Sequence, residues 1–120
     1  MGMNYKIDPA RHLVLTRGWG ILSSHELFDF TSRILVDPRF DPTYRSLGDL
    51  REVTEVTVDT LDAAYTAATP LFVAGTRRAI VATSDSVYGM ARMFATFAER
   101  SGQEVRIFRE MRLAEEWLEL

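Results

Sequence analysis

The chain has no cysteine, two histidines (His12 and His25), a single lysine (Lys6), and one asparagine and one glutamine. Without cysteine there is no disulfide framework, thiol nucleophile or thiolate zinc site, and two histidines are too few for most imidazole-built metal centres. No metal and no cofactor are expected. No run approaches the roughly 18 consecutive apolar residues of a membrane span, and no basic segment precedes an apolar one at the N-terminus. The expectation is therefore a cytoplasmic chain with no membrane insertion. Met1-Gly2 resembles a myristoylation start, but Lys6 stands where that motif needs a hydroxyl residue. Lysine and arginine total 14 against 17 acidic residues, and the net charge of -3 gives no general attraction to nucleic acid. The bias of the basic residues toward arginine reads as genomic base composition.

What is present is 120 residues, 47% hydrophobic and 26% charged, the size and balance of one domain around one core. Residues 4–8 read as a short strand, and Asp8-Pro9-Ala10-Arg11 as the turn of a hairpin, because proline presets φ for the second turn position. The run 12–17 is the second strand, after which Gly18-Trp19-Gly20 marks a bend or bulge. Ser23 and Glu26 have the spacing of a capping box and open a helix with Leu27, Phe28, Phe30, Ile34 and Leu35 as its apolar positions, stopped at Asp37-Pro38. Residues 44–50 form the third strand. Asp59 or Thr60 caps a second helix through Leu61, Ala64, Tyr65 and Ala68, with a kink expected at Pro70.

Residues 77–83 contain Ala79-Ile80-Val81-Ala82, a continuous apolar run typical of a strand covered on both faces. Ser84-Asp85-Ser86 opens a third helix with Val87, Met90, Ala91, Phe94 and Ala98 at helical spacing, closing at Ser101-Gly102. Residues 104–108 alternate as a half-buried strand, and Leu113, Ala114, Trp117 and Leu118 form the packing face of a last helix. Strands separated by helices imply a mostly parallel sheet, since parallel crossovers need about a dozen residues or more. The fold class is α/β: a mixed, mostly parallel five-stranded sheet with an N-terminal β-hairpin and about four flanking helices.

In this order, several local patterns resemble the SpoIIAA-like group of the STAS superfamily. The carriers are Gly20-Ile21-Leu22-Ser23, Gly48-Asp49-Leu50, Arg78-Ala79-Ile80-Val81, Tyr88-Gly89-Met90-Ala91-Arg92-Met93-Phe94, and Val105-Arg106-Ile107-Phe108 with Ala114-Glu115-Glu116-Trp117-Leu118. The resemblance covers nearly the whole chain and implies a non-enzymatic regulatory or binding module. Anti-sigma antagonists of that superfamily carry a serine-glycine phosphoswitch after the acidic residue. Here Asp49 is followed by Leu50-Arg51-Glu52-Val53, with no hydroxyl before Thr54, so the switch does not carry over. Thr54 and Thr57 read as ordinary loop threonines.

Ligands of parallel sheets favour the loops beyond the carboxyl ends of the strands. Those ends are expected to deliver Ser23, Ser24 and His25, then Asp49 and Arg51, then Thr83, Ser84, Asp85 and Ser86, then Arg109. A hydrolase could be assembled from Ser84 or Ser24 with His25 and Asp49, or an anion site from helix N-termini with Arg51 or Arg109. The plainer reading makes the serines helix caps. Met90, Met93, Phe94 and Phe97 cover more of the third helix than one packing stripe requires, a surface suited to a small apolar ligand, a protein partner or a homodimer contact. The alternative is that the second and third helices pack on each other and bury the excess. The main reading is a non-enzymatic module binding a protein partner or a small apolar ligand through Asp49, Arg51, Thr83, Ser84, Asp85, Met90, Met93 and Phe97. The runner-up is a small hydrolase or anion-binding enzyme at the strand ends.

Overall fold

Strand alternation divides the apolar residues between the two faces of one sheet. In the computed structural model, which describes residues 2–68 and 71–120, β1 (Gly2–Asp8) pairs antiparallel with β2 (Leu13–Leu22). The hairpin closes through a 3-10 turn at Pro9–Arg11, where the Asp8 side chain accepts from the Arg11 N–H and His12 takes the left-handed region at φ 50°. The chain continues through α1 (Ser24–Leu35), β3 (Arg45–Val56), α2 (Thr60–Ala68), β4 (Arg77–Val81), α3 (Asp85–Glu99), β5 (Glu104–Phe108) and α4 (Met111–Trp117). The strands lie in the order β1-β2-β3-β4-β5, all pairs after the first being parallel.

Because spatial order equals chain order, three successive right-handed crossovers must place α1, α2 and α3 on the same face. α4 follows the last strand and folds back over the other face. There Leu13, Leu47, Ala79 and Val81 pack against Ala114 and Leu118. On the opposite face Val14, Phe30 and Ile34 form one cluster under α1, Val53, Ala63 and Val87 another between α2 and α3, and Ala95, Ala98 and Val105 a third under α3. This is the expected α/β architecture.

Several boundaries differ from expectation. Gly18-Trp19-Gly20 does not end a strand; β2 runs through it to Leu22, and the expected irregularity appears as register shifts against β3 at Arg17/Trp19 and Gly20/Ile21. Glycine is needed there twice over: a Cβ at Gly18 would come within 3.0 Å of the Leu50 side chain, and Gly20 sits at φ 68°. β3 likewise extends to Val56, six residues past its expected end, because the bulged β2–β3 ribbon continues after β4 has stopped. The capping box forms by half: Ser23 accepts from the Glu26 N–H, but the Glu26 carboxylate keeps a buried oxygen without a partner.

Leu61 and Tyr65 point outward at 78% and 65% exposure while Ala63 is buried, so α2 seats a small-residue face rather than the expected large one. Leu35 and Leu113 are also exposed, because Ile34 and Ala114 occupy the sheet-facing positions. The kink expected at Pro70 lies outside the described residues.

Candidate functional site

Beneath the three-helix layer lies an apolar cavity of about 130 Å³, lined by Leu22 and Leu50 from the sheet and by Leu27, Val87, Met90 and Phe94 from the helices. A second recess of about 70 Å³ extends it toward Ile34, Leu71 and Phe72. Both touch Thr16, Ser46 and Arg78. These three come from neighbouring strands: Ser46 and Arg78 are register partners across β3 and β4, and Ser46 pairs with Val14, two residues before Thr16 on β2. A polar row therefore crosses the floor of an otherwise apolar space.

Arg78 is the unusual member. Its Nη1 donates to Gln103 Oε1, and its guanidinium lies 4.5 Å from the Phe72 ring centre and 5.6 Å from that of Phe94. The residue as a whole is only half-buried, yet its Nε is shielded from solvent and has no hydrogen-bond partner among the described residues. Loss of hydration lowers its pKa to about 10, and among the described residues no opposing charge offsets that loss. The Ser46 side chain, 8% exposed, also makes no hydrogen bond among the described residues.

The carboxyl-end residues are engaged with one another. Ser84 caps α3 by accepting from the Val87 N–H at 3.3 Å, and Ser24 Oγ accepts from the Asp59 N–H at 3.3 Å. Arg109 donates to the Thr83 carbonyl at 2.8 Å, pairs with Asp85 at 2.9 Å and stacks 4.1 Å from the Tyr88 ring centre. Arg51 pairs with Asp49 at 2.8 Å, and its hydrogen bonds hold the Asp49 carboxyl below the ordinary range. Asp49 and Arg51 stand within β3 rather than beyond its end, with Asp49 level with Val81, the last residue of β4.

The expected cluster thus splits into two self-neutralised pairs, and the guanidiniums assigned to an anion are already taken. His25 hydrogen-bonds to no serine or carboxylate among the described residues, so Ser84, His25 and Asp49 are not assembled as a triad. Thr54 is exposed within β3, and the Thr57 hydroxyl donates to the Leu22 carbonyl at 3.4 Å.

The broad Met/Phe surface of α3 is largely absorbed by the chain itself. Met90 lines the cavity, Met93 packs against the cluster containing Ala63 and Val87, and Phe97 against that of Ala95, Ala98 and Val105. The openly exposed apolar residues lie elsewhere: Phe28 and Tyr65 meet edge to face at 6.3 Å between ring centres, beside Leu61. On the α4 face a wider depression of about 460 Å³ is bordered by Lys6, Arg17, Asp49 and Glu115. It is shallow, and Arg17 there is held bidentately by Glu52 at 2.8 and 2.9 Å.

Sequence reasoning missed Thr16, Ser46 and Arg78, although one signal was available. A charged residue beside Ala79 and Ile80 in a strand covered on both faces must either reach an edge or be buried.

The five-stranded sheet and its helices define a SpoIIAA-like fold. One solved structure similar to this chain is a crystal structure of an uncharacterized protein of the DUF3478 family, with a SpoIIAA-like fold, from Shewanella loihica PV-4. The TM-score is 0.66 at 18% identity over 98% of this chain and 94% of that one, a likeness of fold. No family model matches the chain, and no curated protein does. Among the described residues no helix is long and apolar enough to cross a membrane.

Proposed function

We propose that this chain is a non-enzymatic binding module that takes a small apolar ligand between its sheet and its three-helix layer. The observation that carries this reading is the cavity of about 130 Å³ beneath α1, α2 and α3, walled by aliphatic side chains, Met90 and Phe94. Side chains normally fill such spaces to crystal-like density, and apolar cavities of about 150 Å³ accept a molecule the size of benzene. Methionine and phenylalanine walls adapt to ligands of differing shape. A cytoplasmic location belongs to the same reading. The exposed Phe28 and Tyr65 pair supports a protein partner as a second reading, and offers self-association more accessible apolar surface than the half-covered Met93.

Native mass spectrometry of the purified chain, and thermal melting with toluene as a single-ring probe, test the ligand reading. The expected result is a retained small molecule, or a saturable rise in Tm with toluene, as follows from a ligand that binds only the folded state. A bare mass together with a Tm indifferent to toluene overturns it.

A further inference from the structure

We infer that the ligand is an anion, a small carboxylate with an apolar body, held by Arg78, Ser46 and Thr16 across the floor of the cavity. The inference rests on the cavity reading above and adds the chemistry of one end of the ligand. Three facts on neighbouring strands converge. Arg78 lines both recesses, and its Nε–H is shielded from solvent with no hydrogen-bond partner among the described residues. Ser46, its register partner on β3, is largely buried, and its hydroxyl makes no hydrogen bond among the described residues. Thr16 lies on the adjacent strand, and all three side chains line both recesses where these meet.

Buried donors are nearly always satisfied, so an unmet guanidinium donor beside a cavity asks for an acceptor that the described residues do not supply. Among the described residues no carboxylate comes within ion-pair distance of Arg78, whereas Arg51, Arg77 and Arg109 each have one. A carboxylate matches the fork of a guanidinium and leaves lone pairs for two hydroxyls. The rings of Phe72 and Phe94 lie against the guanidinium and its Nη1 is bonded to Gln103, so little side-chain freedom remains to be lost on binding. From that anchor the apolar body extends among Leu22, Val87 and Met90, in a space that admits one ring or a short acyl chain.

Benzoate and toluene are suitable probes, since they share a ring and differ in the charged group. Calorimetric titration of the whole chain is expected to show benzoate binding at least tenfold tighter than toluene, with Arg78→Gln abolishing that preference while toluene binding persists. Toluene binding without a preference for benzoate overturns the anion assignment and leaves the apolar cavity standing. Failure of both probes removes both readings. Should Arg78→Gln fail to fold, the Arg78 Nε–H resonance of the wild-type chain gives a separate measurement. A shift that saturates with benzoate and is absent with toluene is expected, and an unmoved resonance at saturating benzoate overturns the assignment.

Discussion

Arg77 and Arg78 are adjacent in sequence and point to opposite faces of the same sheet, and their surroundings show how differently those faces are completed. Arg77 donates to the Trp117 carbonyl at 2.8 Å, approaches Glu119 at 3.7 Å and lies 5.5 Å from the Trp117 ring centre. Arg45 donates to the neighbouring Leu118 carbonyl, and Arg106 stacks on Trp117 at 5.3 Å. The end of a helix leaves carbonyls without intrahelical partners and carries partial negative charge, so cations gather there. Arg78 instead lies under the bodies of the helices, whose carbonyls are committed to their own turns. It finds one amide oxygen and two aromatic rings. On the face covered by the shortest α-helix Arg45 and Arg77 meet helix-end carbonyls, while the face covered by three retains an unmet donor beside a void.

The largest effect separating the two faces is expected from truncating their packing. Leu118, 1% exposed against α4 and the sheet, should cost about 2–5 kcal/mol when changed to Ala, read as a fall in urea midpoint at constant slope. Leu27, half-buried at the border of the cavity, already lacks neighbours on one side, and its change to Ala should cost distinctly less. Equal losses would mean that the cavity is closed in solution and that the contrast between the faces is false.

Next come the two arginines. Arg78→Met removes a desolvated charge and should raise stability by about 1–2 kcal/mol near neutral pH, since apolar replacements of buried charge are often stabilising. Arg78 loses its proton in the folded chain at about 10, well below the ordinary guanidinium range, so the folded state disfavours the charged form below that pH. From about 10 up to the ordinary guanidinium range the unfolded chain holds more protons, and the wild type gains stability relative to the variant as pH rises. The advantage of Arg78→Met should therefore narrow above pH 10. Arg77→Met should act in the opposite direction and by less than about 1 kcal/mol, because that side chain is 41% exposed and its ion pair is screened. Chemical denaturation of both variants across pH 7 to about 11 tests the pair, and a loss of stability in Arg78→Met would break the comparison.

The sheet, its hairpin and all four helices were legible in the sequence because each announces itself locally, in proline at the hairpin turn, serine at helix starts and apolar spacing of 2 or 3.6. The extent of β2 and β3 was not. Glycines at 18 and 20 look like a break, and only pairing with a bulged partner shows that they permit the backbone to continue. Helix faces failed for a related reason: in α2 the large residues Leu61 and Tyr65 outscore Ala63 in any apolar pattern, yet tight seating against α3 selects alanine. Residue type alone likewise drew attention to hydroxyls and carboxylates at the strand ends. Arg109 with Asp85, and Arg51 with Asp49, show those groups consumed by one another. Met90 survives as a wall of the cavity. The polar floor was hidden because Thr16, Ser46 and Arg78 stand 30 or more residues apart, and only strand register brings them into one row.

The smallest expected effects distinguish two serines that look alike in sequence. Ser84 accepts from the Val87 N–H at the start of α3, and Ser84→Ala should cost about 1 kcal/mol, the ordinary price of a lost cap, lowering Tm by a few degrees. Ser46 is the more buried of the two, so burial taken alone would predict the greater loss there. Its hydroxyl makes no hydrogen bond among the described residues, however, so its removal breaks no bond there. Ser46→Ala should therefore change stability by no more than about 0.5 kcal/mol, with the sign toward stabilisation, since the removed atom borders open space rather than a packed neighbour. Thermal melts of the two variants without added ligand decide the matter. If Ser46→Ala proves as costly as Ser84→Ala, then Ser46 has a structural partner, and the unmet demand on the floor of the cavity belongs to Arg78 alone.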